Sequence, residues 1–368
     1  MQFYRLYFYL ALLSSVFNLN HVSATLTPPA EIDTFDYIVG GAGSAGSPLA
    51  TELAEAGYKV ALVEGGPTLE QVYDKESIKN LDNHKWVRYN AQIEDYYYST
   101  PQLRTLSNGT SFFKSEELRR AKLEGGCNRH NGGWARYGVP QVYDTYPPGW
   151  RKRDLAPYLG KAFRRMSSDI PRKHRALQTK IINEWRTATG YPIVPDSNLY
   201  SKTQLGIQRS IFNYIERNDS YYERYSSFDA FVMKSRQLNN NLIRIPNTKI
   251  ERIVWEFESG ESEPRARGFE VTDKLSGKKR ILYARKEAIS SLGTYDTTTM
   301  MQRSGVGNCT ELETVYNIQC VIDNDNVGAG FLYHMVLASL MTVNPQDAVI
   351  APNSQFHTQV GVAISTQG

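Results

Sequence analysis

Two compact apolar runs flank a stretch of small residues near the start of the chain. The first is FDYIV, Phe35 to Val39; the second lies in YKVALVEGG and ends at Glu64. Short β-rich apolar runs bounded by turn residues predict buried parallel strands. Between them, SAGSPLATELAEAG sets Ala45, Leu49 and Leu53 at helical spacing. Pro48 stands at the edge of the first turn, where a missing N–H costs least, and Gly57 stands where a C-cap belongs. The prediction is strand, tight turn, helix and strand within about 30 residues. Further on, NNNLIRIPNTKIERIVWEF alternates as strands do, with Ile243, Ile245, Ile250 and Ile253 as apolar anchors. RARGFEVTDKLSGKKRILYARKEAISSLG then predicts a strand, a turn at Ser276-Gly277, a second strand, and a buried strand ending at Gly293. The pattern belongs to the α/β class.

The turn after the first run reads Gly41-x-Gly43-x-x-Gly46. In this context each glycine has a mechanical reason. Gly41 permits the sharp turn, Gly43 lets a pyrophosphate approach the backbone, and Gly46 lets the helix pack closely on the sheet. Exposed N–H groups at the helix start, with its dipole, favour phosphate charge. Glu64, at the tip of the second strand, is placed to accept hydrogen bonds from both ribose hydroxyls, and its charge disfavours a 2′-phosphate. These features leave NAD and FAD open. A small β-meander that returns to a buried strand favours FAD, and EGGCNRHNGGWARYG, Glu124 to Gly138, adds a second glycine-rich stretch.

Composition narrows the setting. With 368 residues and 41% hydrophobic content, the chain can build one large core or two ordinary ones. A net charge of +4, scattered along the sequence, does not argue for nucleic acid. The opening MQFYRLYFYLALLSSVFNLNHVSA reads as a secretory signal: Arg5 supplies the positive end, Leu6 to Phe17 the apolar core, and Val22-Ser23-Ala24 the small residues for cleavage. An uncleaved anchor is the alternative, with an apolar core short for a span. Sequons at Asn108, Asn218 and Asn308 fit a glycosylated, secreted protein. Three cysteines leave at least one outside any internal bridge; Cys309 and Cys320 could pair across a short loop, which spacing does not decide. No cysteine or histidine spacing suggests a metal.

Several motifs together resemble one family, the glucose–methanol–choline oxidoreductases. DYIVGGAGSAGSPLATELAEAGYKVALVEGG is similar to its amino-terminal FAD motif. GGCNRHNGGWARYG resembles the first family signature, with Gly125, Gly126, Cys127, Asn128 and Asn131 at its positions. SLGTYDTTTMMQRSGVG resembles the second, and DNDNVGAGFLYHMVL is similar to a later Val-Gly motif, keeping Val327, Gly328 and His334. The resemblance implies an FAD-binding Rossmann-type domain, a parallel sheet plus β-meander, with an interleaved and incomplete substrate-binding domain. It places Gly41, Gly43, Ser44, Ala45 and Gly46 along the FAD pyrophosphate, Glu64 on the adenosine ribose, the backbone of Ile250 at the adenine edge, and Asn131, Gly132 and Trp134 near the flavin ring. The implied domains are a signal peptide over 1–24, FAD-binding segments over 33–149 and 238–335, a substrate or cap region over 150–237, and the start of a substrate domain over 336–368.

The implied activity is oxidation of CH–OH groups of small alcohol or sugar donors, with hydride transfer to flavin. The sequence departs from the family in places. No stretch matches the late segment that carries the family's catalytic His with a second His or Asn, so no catalytic residue is assigned; His357 lies outside that context. Cys127-Asn128 replaces two small hydroxyl residues, and Gly330 and Tyr333 stand where Asn and Asp are expected. A flavin-containing hydroxynitrile lyase and a non-catalytic, truncated nucleotide-binding protein are the alternative readings. Substrate, electron acceptor and oligomeric state are not legible.

Overall fold

The computed structural model describes residues 33–72, 94–106, 108–131, 134–135, 140–166, 172–193, 206–209, 211–212, 214–218, 221–235, 238, 240–257, 263–331 and 360–363. The expected signal segment, Gly132, Tyr333, His334 and His357 lie outside the described residues. The chain divides into two compact units. The first comprises 1–69, 91–126 and 236–336; the second comprises 70–90, 127–235 and 337–368.

The first unit is organised by a six-stranded sheet. Its strands in chain order are β1 (Thr34–Gly40), β2 (Val60–Val63), β3 (Leu242–Ile245), β4 (Thr248–Glu256), β5 (Arg265–Asp273) and β6 (Lys279–Ser290). The spatial order is β3-β2-β1-β6-β5-β4. The first four neighbours run parallel; β5 and β4 close the sheet as an antiparallel meander. All four residues of β2 are buried, as a central parallel strand with both faces covered requires.

Two expectations change in detail. The second strand and the buried strand expected after the Ser276-Gly277 turn are one twelve-residue strand, β6. Its first half pairs antiparallel with β5, from Thr272–Lys279 to Gly268–Tyr283; its second half pairs parallel with β1, ending at Gly40–Ser290. One strand therefore carries the chain from the meander into the parallel sheet. The turn before it forms as expected: Gly277 has φ +71°, and the Asp273 carboxylate accepts the Ser276 and Leu275 N–H groups, which holds its carboxyl below the usual range.

Helix α1, Gly46–Glu55, also forms, and Gly57 follows it at φ +94°. The stripe it buries differs from the apolar one. Gly46, Ser47, Ala50, Thr51 and Ala54 face inward, whereas Ala45 and Leu49 are exposed. Small side chains let the helix axis sit close to the sheet, with Leu49 left exposed and Leu53 half-buried. The core beneath includes Phe35, Ile38, Val63, Ile250, Phe269, Leu282 and Met300.

The last described part of this unit is held by a bridge that spacing left open. Cys309 and Cys320 form a disulfide with Cα atoms 5.2 Å apart. The loop it closes starts with a short helix, Cys309–Thr314, capped by the Asn308 side chain, and buries Leu312. Replacing both cysteines by serine is expected to cost about 3 kcal/mol of stability by the loop-entropy relation. An unchanged denaturation midpoint in the double variant would refute that.

The second unit contains helices Lys152–Met166 and Arg172–Thr189 and a hairpin of Tyr214–Asn218 with Tyr221–Arg224. Tyr225, Ala230 and Phe231 form a small core against Ala162 and Met166, with the Arg165 guanidinium 4.3 Å above the Phe231 ring.

Candidate functional site: a glycine-lined turn at the ends of the parallel strands

The turn from β1 into α1 is built almost wholly from backbone. Gly41 adopts φ +94°, a conformation an L side chain rarely takes, and its N–H donates to the Val63 carbonyl at 2.7 Å. Ser291, just past β6, donates through Oγ to the carbonyl oxygens of Gly40 and Gly41, at 2.7 and 3.2 Å. Ser47 Oγ donates to the Ala42 carbonyl at 2.9 Å, and the Gly125 N–H donates to the same oxygen at 2.9 Å. The two glycine-rich stretches therefore meet here. A Cβ on Gly126, itself at φ +54°, would stand 2.9 Å from the Gly43 Cα. Side chains are excluded from this junction, and two backbones share it.

The glycines divide by what surrounds them. A Cβ on Gly46 would lie 1.9 Å from the Gly41 carbonyl oxygen, so its absence is a packing requirement. A Cβ on Gly43 would meet only the Gly126 Cα, at an ordinary 3.8 Å. Among the described residues, no packing contact demands glycine at 43. Ser44 and Ala45 are exposed beside it. Helix α1 has no acidic residue in its first turn and no side-chain cap, so none of its own side chains neutralises the positive end of its dipole.

Glu64 closes the other side. Its carboxylate accepts the Ala42 N–H at 3.0 Å and the Gly66 N–H at 2.9 Å. Its own N–H donates to Ile245, and its carbonyl accepts the Thr248 N–H, so the residue ties β2 to the start of β4. Burial pushes its carboxyl above the ordinary value; the two N–H donors and the nearby Arg120 cation pull the other way, and Glu124 adds to the rise. Both oxygens already serve the protein, a duty the sequence did not reveal. A carboxylate offers about four acceptor positions, and these two bonds use two of them.

Of the other expected site residues, Ile250 lies in β4 opposite Val271, with its side chain in the core under Gly40. Asn131 belongs to the second unit, is exposed, and follows the short turn Gly126–Arg129. Its Oδ1 accepts a hydrogen bond from Arg224. Trp134 forms a two-residue strand pairing with Ile211–Phe212. Gly41, Gly43, Ser44, Ala45, Gly46, Glu64 and Ile250 all fall in the first unit.

Sequence reasoning missed the residues that brace these loops. Arg244 of β3 holds Glu124 by two bonds of 2.8 and 2.6 Å. In the second unit Arg224 donates to the Asn128 carbonyl at 2.6 Å, and Arg129 pairs with Asp229 at 2.7 Å. Asp229 in turn accepts the N–H and Oγ of Ser226. Arg244, Arg224 and Arg129 each reach partners roughly one hundred or more positions away, and no local pattern marks them.

A parallel sheet with a three-stranded meander, and a glycine-lined turn facing a buried acid at the strand ends, define a dinucleotide-binding α/β domain. Residues 35–336 match the GMC oxidoreductase family, and the chain belongs to it. It is 24% identical over 353 residues to choline oxidase of Arthrobacter globiformis, covering 90% of this chain and 60% of that protein. It is 25% identical over 337 residues to the FAD, quinone glucose dehydrogenase of Drosophila melanogaster, covering 85% and 50%. Among solved structures, formate oxidase superposes with a TM-score of 0.61 at 21% identity, over 79% of this chain and 50% of that one. Pyridoxine 4-oxidase from Mesorbium loti gives 0.61 at 19%, over 78% and 55%. The chain spans between half and three-fifths of the length of these relatives.

Proposed function

We propose that this chain binds FAD at the Gly41–Gly46 turn and serves a GMC-type oxidation of a CH–OH group on a small alcohol-type substrate. The observation that carries the reading is the division of labour among the glycines. Gly41 and Gly46 are required by the fold, while a Cβ on Gly43 would make only ordinary contact among the described residues, beside an uncapped helix start. A diphosphate that must touch backbone accounts for the glycine. Bound FAD supplies the two-electron acceptor for a hydride. The protein's part is to hold the diphosphate on the Gly43–Ala45 backbone and the ribose hydroxyls on the remaining lone pairs of Glu64. The backbone of Ile250 serves the adenine edge.

Purified protein titrated with FAD should quench flavin fluorescence saturably and unfold at higher temperature as FAD is raised, since a ligand bound only by the folded state stabilises it. Gly43→Ala should weaken binding at least about tenfold, roughly 1.4 kcal/mol. Equal affinity in that variant, or no saturable binding by the parent chain, would sink the reading.

We further propose that the protein is secreted, with residues 1–24 as signal peptide. The Cys309–Cys320 disulfide supports an oxidising compartment. Among the described residues no helix is long and apolar enough to cross a membrane.

A further inference from the structure

We infer that Asn108 is an N-glycosylation site, that Asn308 stays unmodified, and that the glycan on Asn108 shields an apolar hairpin. The inference rests on the secretory reading above and goes beyond it by choosing between sequons. Strands Gln102–Thr105 and Ser111–Lys114 form a two-stranded hairpin in which Leu103 pairs with Phe113 and Arg104 with Phe112. Leu103, Leu106 and Phe113 are each at least half exposed, with Phe113 at 71%. An exposed apolar hairpin invites association unless something covers it.

Asn108 sits at the tip of this hairpin. The turn is closed by Gly109 N–H to Leu106 carbonyl and Leu106 N–H to Thr110 carbonyl, both at 2.9 Å, with Gly109 at φ +83°. Asn108 Oδ1 accepts the Thr110 N–H at 3.0 Å, and its Nδ2 has no protein partner among the described residues. A Cβ placed on Gly109 would have nothing within 4 Å, so the tip is open on that side. The sequon hydroxyl, on Thr110, is exposed with it.

Asn308 is held in the opposite way. Its Oδ1 accepts the Glu311 N–H at 2.8 Å as the cap of helix Cys309–Thr314, and its Nδ2 donates to Asp325. Its neighbour Cys309 is fixed by the disulfide and donates its N–H to Asp323 at 3.1 Å. A sugar on Nδ2 would crowd Asp325 and the 323–325 loop that clamps the helix start. Asn218 ends a strand whose following sequon residues are outside the described ones.

The transfer joins Asn108 Nδ2 to the anomeric carbon of the first sugar of a lipid-linked oligosaccharide diphosphate. The bond from that carbon to the diphosphate breaks, the lipid diphosphate leaves, and the amide proton passes to a base on the transferase. The test is site mapping by mass spectrometry on the full chain secreted from cultured eukaryotic cells, with and without peptide N-glycosidase. The Asn108 peptide should carry glycan and the Asn308 peptide should not. Asn108→Gln and Thr110→Ala should each remove one glycan from the intact mass, whereas Thr110→Ser should keep it. The glycosidase-treated protein should bind a hydrophobic dye more strongly and shift toward oligomers. A bare Asn108 alongside glycan at Asn308 or Asn218 overturns the site assignment alone. Three bare sequons on a chain retained in the cytosol overturn the secretory reading and the proposal with it. Glycan at Asn108 with no change in dye binding on its removal overturns the shielding role.

Discussion

Gly46→Ala is expected to lower the unfolding free energy by about 3 kcal/mol, the upper end of what overpacking costs. The added methyl would stand 1.9 Å from the Gly41 carbonyl oxygen and 2.6 Å from Ser291 Oγ. Ser291 can rotate away, at the loss of its bonds to Gly40 and Gly41. The carbonyl cannot. Gly41 is held by its N–H bond to Val63 and by a backbone conformation that only the turn requires. Relief has to come from lifting the start of α1 off the sheet, which opens the packing under Ser47, Ala50 and Ala54. Gly43→Ala provides the internal control: its methyl meets only ordinary contact, so stability without ligand should stay within about 0.5 kcal/mol of the parent. Urea midpoints measured on cofactor-free protein separate the two. A Gly46→Ala variant that melts with the parent would show that the helix does not sit as close as described.

That contrast shows how much could be read before the fold was seen. The strand–turn–helix–strand unit was legible because its signals are local: continuous apolar runs, a glycine turn, a proline in the first turn and a C-terminal glycine. The three glycines could be given separate mechanical reasons because the geometry of such a turn is itself local. The inward face of α1 was not legible. Leu49 and Leu53 made the apolar stripe, yet close approach to the sheet selects Gly46, Ser47 and Ala50, and small residues leave little hydrophobic signal. The position of Glu64 was legible at the end of an apolar run, but its bonds to Ala42 and Gly66 depend on two loops folding over it. The dual role of β6 was hidden because an antiparallel and a parallel partner use the same alternating pattern. Ser291, Arg244 and Arg224 act on residues roughly one hundred or more positions away, which one sequence has no means of pairing.

Arg244→Met should cost about 3–5 kcal/mol, because it strips the bidentate partner from a buried carboxylate. Glu124 is only 2% exposed, and both of its oxygens face the Arg244 guanidinium at 2.8 and 2.6 Å. Water replaces the lost charge poorly at that depth, so the folded variant holds Glu124 either charged with one fewer cation beside it or protonated. The sign of the pH dependence follows. Removing the cation makes the folded-state Glu124 carboxyl easier to protonate than it is in the parent protein. The deficit is therefore largest near neutral pH and shrinks as the pH falls toward the ordinary glutamate range. The double variant Glu124→Leu with Arg244→Met should recover part of the loss, since an apolar pair removes the buried charge. Glu124 immediately precedes Gly125 and Gly126, which bond to Ala42 and abut Gly43. Loosening it should also weaken FAD binding, and the double variant should regain stability without regaining full affinity if the charged pair sets the loop's position. A deficit in Arg244→Met that does not change with pH would mean that Glu124 reaches solvent or another cation when its partner is gone, and the pair would then be a surface bridge of small worth.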